Sequence, residues 1–234
     1  MAVGRATTAR ICIAGATGLV GRALLAQLAA DGRAGRITAL VRKPGQIATL
    51  PKGVRGQLVD FKTLGQAGAP GLPSTDWAFC CLGTTIKQAG SKAAFRAVDF
   101  DAVLAFARAA KVAGASRLAV VSALGADPQA SVFYNQVKGE VELALRALDL
   151  PHLVIARPSL LLGDRQTLGQ ASRPAETVAQ WLMPAFGWLM PRRLRPIQAD
   201  AVAAALLTAL ASAATGQHVL ESDALQALAG KAGQ

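Results

Sequence analysis

Short unbroken apolar runs alternate with longer segments of helical spacing over the first two-thirds of the chain. Arg10-Ile-Cys-Ile-Ala14 reads as a strand ending at Gly15, and Leu19 to Ala30 keeps apolar residues at helical spacing until Asp31-Gly32 stops it. The same pattern predicts strands at Arg36–Val41, Gln57–Asp60, Trp77–Leu82, Arg117–Ser122 and His152–Ala156. A long helix is expected from about Ser91 to Ala113, ending at Gly114, and another over about Val132 to Leu148. Strands that are apolar throughout are buried on both faces, and their alternation with helices makes them parallel. The expected fold is α/β, a doubly wound Rossmann-type parallel sheet.

Beyond Pro158 the rhythm breaks. Residues 163–175 are polar and rich in Gly, Arg and Gln, which reads as a loop. Then come an aromatic and methionine-rich run from Trp181 to Met190, the cluster Arg192, Arg193 and Arg195, an alanine-rich helix, and a last short strand, Gln217–Leu220. No linker separates two domains. Residues 1–234 are expected to form a single domain, with residues about 160–195 as a small C-terminal substrate-side or lid segment.

Composition narrows the function classes. An apolar fraction of 52 % in 234 residues is ample for a core. The net charge of +11 invites a nucleic-acid reading, but the 25 basic residues are dispersed and no zinc-finger spacing or RNA-binding aromatic signature accompanies them. Nucleic acid is therefore disfavoured as a partner. Peripheral membrane contact through Trp181–Met190 beside the arginine cluster is a secondary reading, set against the same residues covering a substrate pocket. No run of 18 or more apolar residues occurs, and the first ten residues lack the core of a secretory signal, so a cytoplasmic location is expected. Cys12, Cys80 and Cys81 read as small buried hydrophobes. His152 and His218 match no metal-ligand spacing, and no metal site is expected.

Two constellations carry chemistry. Gly15-x-x-Gly18-x-x-Gly21 sits between a strand and a helix, as a dinucleotide-binding turn requires. Gly15 permits the turn, Gly18 lets backbone approach a pyrophosphate, and Gly21 lets the helix pack closely. Where an NAD site usually carries an acid for the ribose hydroxyls, this chain has Arg42-Lys43, with no acid from Ile37 to Thr49. Two cations attract a 2′-phosphate, so NADP(H) is the expected cofactor. The second constellation is Tyr134-Asn-Gln-Val-Lys138, which puts two side chains one helical turn apart on one face, with Ser122 at a strand end twelve residues before the only tyrosine. This set suits carbonyl–alcohol chemistry: the lysine favours the phenolate and reaches the nicotinamide ribose, the tyrosine exchanges a proton with the substrate oxygen, and the serine polarises it.

Together these residues resemble the short-chain dehydrogenase/reductase superfamily, and within it the atypical group of Tat-interacting-protein-like NADPH-binding proteins. The matching segments include Gly15–Gly21, Val59-Asp-Phe61, Phe79–Thr85, Val98-Asp99, Ser122–Ala126, Phe133 through Glu142 and Arg157–Gly163. The resemblance implies that Thr17, Gly18, Leu19 and Val20 lie along the pyrophosphate, and Arg42 and Lys43 near the 2′-phosphate. Asp60 and Phe61 would flank the adenine, and Leu82, Gly83 and Thr84 would pass beneath the adenosine and its ribose. Tyr134 and Lys138 would hold the nicotinamide ribose, with Arg157, Pro158 and Ser159 beside the nicotinamide. Many active superfamily members add an asparagine on the helix before the serine strand; Arg96–Asp101 supplies aspartates instead. Two functions are therefore expected to compete: an NADPH-dependent reductase of a carbonyl or quinone-like small molecule, and a non-catalytic NADP(H)-binding sensor or interaction protein. Substrate contacts are expected from residues about 83–92, 123–133 and 159–190, which follow no motif.

Overall fold

The computed structural model describes residues 8–162, 191–212 and 214–232. Seven parallel strands form its central sheet: β1 (Ala9–Ala14), β2 (Ala34–Val41), β3 (Val54–Leu58), β4 (Trp77–Cys80), β5 (Arg117–Val121), β6 (His152–Arg157) and β9 (Gly216–Glu221). Their spatial order is β3-β2-β1-β4-β5-β6-β9, with every neighbouring pair parallel. This is the doubly wound sheet expected, and its strand order reverses between β1 and β4. A separate two-stranded pairing joins β7 (Leu161–Leu162) to β8 (Ile197–Gln198).

Side-chain alternation along each strand feeds two cores on opposite faces. Ile11, Ile13, Phe79, Ala119 and Val154 point to one face and pack with α1 (Leu19–Ala30) and α6 (Ala199–Ser212). Cys12, Ala14, Ala78, Cys80, Leu118, Val120, Leu153 and Ile155 point to the other, against α4 (Val103–Val112) and α5 (Phe133–Arg146). Complete burial of a Leu, Ile or Phe side chain stabilises by about 1.5–3 kcal/mol, so strands buried on both faces are strongly held. The three cysteines are free. Burial pushes the Cys12 and Cys80 thiols up to about 12, in keeping with the buried hydrophobes expected, whereas Cys81 is only half-buried and lines a cleft at the carboxyl ends of the strands.

Three elements depart from the pattern reading. β3 begins at Val54 rather than Gln57; it is the edge strand, half-exposed, and lacks the continuous apolar run that marks the inner strands. The helix expected over Ser91–Ala113 is interrupted. After α2 (Ile86–Ala89), α3 (Lys92–Arg96) leads into a π-helical turn over Ala97–Ala102 before α4 resumes. Finally, the chain does not close on its last strand: α7 (Ser222–Ala232) follows and puts Leu225 into the core. The Trp181–Met190 run, and most of the lid segment expected over about 160–195, lie outside the described residues. No helix among the described residues is long and apolar enough to cross a membrane.

The turn after β1 ties the two halves of the sheet together. A Cβ added at Gly21 would lie 2.2 Å from the Gly15 carbonyl oxygen and 2.8 Å from the Ala16 Cα, with no flexible side chain to yield. Gly21→Ala is expected to cost about 1–3 kcal/mol of stability through overpacking, read as a lower urea midpoint. Gly18→Ala, whose Cβ would meet only the Gly15 oxygen at 3.4 Å, should keep the wild-type midpoint. Equal losses in the two variants would contradict this packing.

Candidate dinucleotide site

The strand reversal between β1 and β4 opens a crevice at the carboxyl ends of the strands, where open α/β sheets bind their ligands. A cleft of about 1570 Å³ lies there, lined from one end by Arg42, Gln46, Asp60 and Phe61, through Gly15, Thr17–Val20 and Leu82–Thr84, to Ser122, Tyr134 and Lys138. A drug-sized ligand typically occupies about 300–1,000 Å³, so this space suits a longer molecule.

The floor is built by glycine. Gly15 sits at φ +80°, a conformation other residues rarely adopt, and a Cβ there would stand 2.4 Å from the Cys81 carbonyl oxygen. Gly18 is the N-cap of α1 and brings no side-chain cap, and the first turn of the helix carries no acid. The open amide groups and the positive end of the helix dipole therefore face the cleft at Leu19 and Val20, as an anion requires. At the β2 end, the Gln46 side-chain oxygen accepts from the backbone N–H groups of Arg42 and Lys43 at 3.0 and 3.1 Å, fixing their turn. Arg42 reaches the cleft; Lys43 is exposed and lines no part of it.

The opposite wall depends on an ion pair that the sequence pattern did not disclose. Asp99, in the π-helical turn, is fully buried, and its Oδ1 stands 2.8 Å from the Nζ of Lys138, itself only 3 % exposed. Asp99 Oδ2 accepts from the Thr84 backbone N–H at 2.9 Å. One carboxylate thus fixes the lysine on α5 and the loop after β4. Burial disfavours the Lys138 ammonium, but the neighbouring Tyr134 and the Asp99 charge outweigh it, so its pKa is raised. Tyr134 packs its ring 5.4 Å from that of the buried Phe95, and its hydroxyl makes no hydrogen bond among the described residues. The signals for Asp99 were its place in an otherwise apolar helical stripe and its presence where the wider superfamily carries an asparagine.

Ser122 comes to the cleft, but its hydroxyl donates to Glu142 Oε1 at 2.5 Å. Glu142 is 2 % exposed and is clamped by Arg157, whose Nε and Nη2 donate to its two oxygens at 3.0 and 2.6 Å. Arg157 also holds Glu221 at 3.1 Å. Arg157, Pro158 and Ser159, expected beside the nicotinamide, line no part of the cleft. Arg157 is turned into this carboxylate network, and Ser159 hydrogen-bonds the Arg195 carbonyl and Ser222. Gly21 likewise acts in packing and not in the lining.

Comparison with known proteins follows the same lines. A family model described as NAD(P)H-binding matches residues 15–213. Protein HTATIP2 of Rattus norvegicus is 34 % identical over 220 residues, covering 92 % of this chain and 87 % of the relative. Protein fmp52, mitochondrial, of Emericella nidulans is 34 % identical over 182 residues, covering 76 % of each chain. Among solved structures, MoeE5 in complex with UDP-glucose and NAD superposes with a TM-score of 0.66 at 17 % identity, covering 90 % of this chain and 75 % of the other. The Bordetella bronchiseptica enzyme WbmG in complex with NAD gives 0.65 at 17 %, covering 94 % and 74 %. At that identity the structures share the fold alone. The cytoplasmic expectation is corrected here: several curated fungal relatives are named mitochondrial proteins.

Removing the Asp99 charge should strand Lys138. Asp99→Ala is expected to cost about 3–5 kcal/mol in urea unfolding, as loss of one partner of a buried pair does. Because the folded pKa of Lys138 is raised, the pair contributes in full below the ordinary lysine value of 10.5 and is lost as pH rises through the higher folded value. In Asp99→Ala burial is left to lower the pKa of the stranded Lys138, so that variant should regain stability as pH rises and the gap should narrow from about pH 7 upward. A gap unchanged between about pH 7 and 11 would contradict the pairing.

Proposed function

The chain belongs to the NAD(P)H-binding family, and from that premise we propose that it is an NADP(H)-dependent reductase of a carbonyl or quinone-like small molecule. The single observation that carries the reading is the buried Asp99–Lys138 pair beside Tyr134 at one end of the cleft, with an uncapped helix N-terminus and Arg42 toward the other. The residues fit the nucleotide. The space over Gly18 that a side chain would fill stays open to a pyrophosphate, Arg42 offers a cation where an acid would select NAD, and Lys138 is held charged for the nicotinamide ribose.

The bound nicotinamide supplies the hydride. Tyr134 is the proton donor to the substrate oxygen, since its hydroxyl is uncommitted and opens on the cleft. Lys138 stabilises the phenolate left on Tyr134, and Asp99 keeps the ammonium in place for that task. The expected role of Ser122 in polarising the carbonyl is weakened, because its proton is directed at Glu142. That same observation favours a second reading, in which Tyr134 and Lys138 grip the ribose of a non-catalytic NADP(H) sensor. The names of the fungal relatives support a mitochondrial location.

Fluorescence titration with NADPH and NADH, followed by a carbonyl and quinone substrate screen, tests the reading. Wild type should bind NADPH more tightly than NADH. Tyr134→Phe should lose turnover by about 10²–10⁴-fold while keeping its NADPH affinity within about twofold. Wild type that binds nucleotide and turns over none of the compounds would favour the sensor; failure to bind either nucleotide at millimolar concentration would reject both readings.

A further inference from the structure

The single hydroxyl proton of Ser122 is committed. It goes to Glu142 Oε1 at 2.5 Å, where Ser122 is 6 % exposed and Glu142 only 2 %. Arg157 holds both oxygens of the same carboxylate, through Nε at 3.0 Å and Nη2 at 2.6 Å. A guanidinium has donors and no acceptor, so every contact on Glu142 comes from a donor and the carboxylate has no proton to return. A hydrogen bond to a charged acceptor is roughly twice as strong as a neutral one. Turning the Ser122 hydroxyl toward the cleft would forfeit it.

What Ser122 keeps for the cleft is its lone pairs. It lines the space beside Tyr134 and Lys138, and its oxygen accepts from no group among the described residues. Tyr134, Lys138 and Glu142 follow at one-turn intervals on α5 and so share a face of that helix. The wall they build is therefore asymmetric: Tyr134 can donate, and Ser122, held by Glu142, can only accept. A carbonyl oxygen set against Ser122 would oppose lone pair to lone pair, whereas an O–H there would complete a hydrogen bond.

We infer that the substrate is a ketone or aldehyde with a hydroxyl on the adjacent carbon, Tyr134 donating to its carbonyl oxygen and Ser122 accepting from its hydroxyl. Glu142 is the positioning residue that makes Ser122 an acceptor. The inference rests on the reductase reading above and narrows its substrate class. A quinone or a plain dione has no proton to offer and leaves a nearly inaccessible oxygen unsatisfied, which is how polar sites reject an analogue that lacks one group. In the reduction the carbonyl carbon gains the hydride of the nucleotide, which is left oxidised, and the carbonyl oxygen gains the Tyr134 proton. The product is a vicinal diol, and the hydroxyl on Ser122 keeps its own proton throughout.

Ligand-observed NMR titration of the protein loaded with NADP⁺, which has no hydride to give, tests this without turnover. The probes are pinacolone and its two analogues in which one methyl of the tert-butyl group is replaced by hydroxyl or by methoxy. Wild type should bind the hydroxy ketone about five- to tenfold more tightly than either of the others, the scale of one hydrogen bond. Ser122→Ala should bring that ratio to within about twofold of unity. Glu142→Gln removes the charge that fixes the Ser122 proton and should lower the ratio as well, whereas a merely structural role of Glu142 would weaken all three ketones alike. Absence of a preference in wild type, or a preference that survives Ser122→Ala, overturns the inference. With NADPH the same order should appear in kcat/KM. Reduction of all three ketones at equal kcat/KM overturns the inference and leaves the reductase reading standing. Binding in the expected order with no reduction of any of them overturns the reductase reading and keeps the acceptor role of Ser122.

Discussion

Everything at the site depends on how closely the turn after β1 approaches the end of β4. The backbone of Gly15 lies so near the Cys81 carbonyl that one added carbon would stand 2.4 Å from it. With no side chain on Gly15, the chain from Cys81, just past the end of β4 at Cys80, passes directly against the turn. The reversal of strand order then becomes an open crevice and not a packed seam. The helix that leaves the turn starts on Gly18, so its unsatisfied amide groups meet solvent at the crevice mouth. The steric constraint on Gly15 and Gly21 thus sets the shape of the cleft, and the bare N-cap at Gly18 leaves helix amides open to an anion.

The opposite wall obeys a different economy. Lys138 and Glu142 stand one turn apart on α5, both nearly inaccessible, and each holds an oppositely charged partner from another element. Lys138 meets Asp99 from the π-helical turn; Glu142 meets Arg157 from the end of β6 and accepts a hydrogen bond from the Ser122 hydroxyl. Buried pairs of this kind add little net stability, but an unpaired member is costly, so they fix geometry. One pair presents a charged lysine to the cleft. The other withdraws a serine hydroxyl from it. These two arrangements are what a reductase and a sensor would weigh differently, and they lie within one helical turn of each other.

The sheet was legible because its inner strands are buried on both faces and read as unbroken apolar runs. β3 was misplaced by three residues because an edge strand carries no such run. α7 was missed where a short strand had been taken as the end of the chain. Gly15, Gly18, Arg42, Tyr134 and Lys138, singled out by spacing and residue type, all line the cleft, since turn and helix geometry determine where they point. Asp99 was not, because a helix read as continuous from Ser91 to Ala113 hides a π-helical turn that re-aims one side chain. Arg157, Pro158 and Ser159 came from resemblance, and here Arg157 and Ser159 bond to neighbouring elements and none of the three lines the cleft. Lys43 adjoins Arg42 in sequence but does not line the cleft.

The central claim is that one continuous cleft holds a dinucleotide from the β2 end to Lys138. A crystal structure grown with NADPH tests it most directly. The account predicts the pyrophosphate over the N-terminus of α1 at Gly18–Val20, the nicotinamide ribose within hydrogen-bond distance of Lys138, and Asp99 unmoved. Nucleotide density seated elsewhere, or a Lys138 that leaves Asp99 and makes no contact with the ribose, would contradict it.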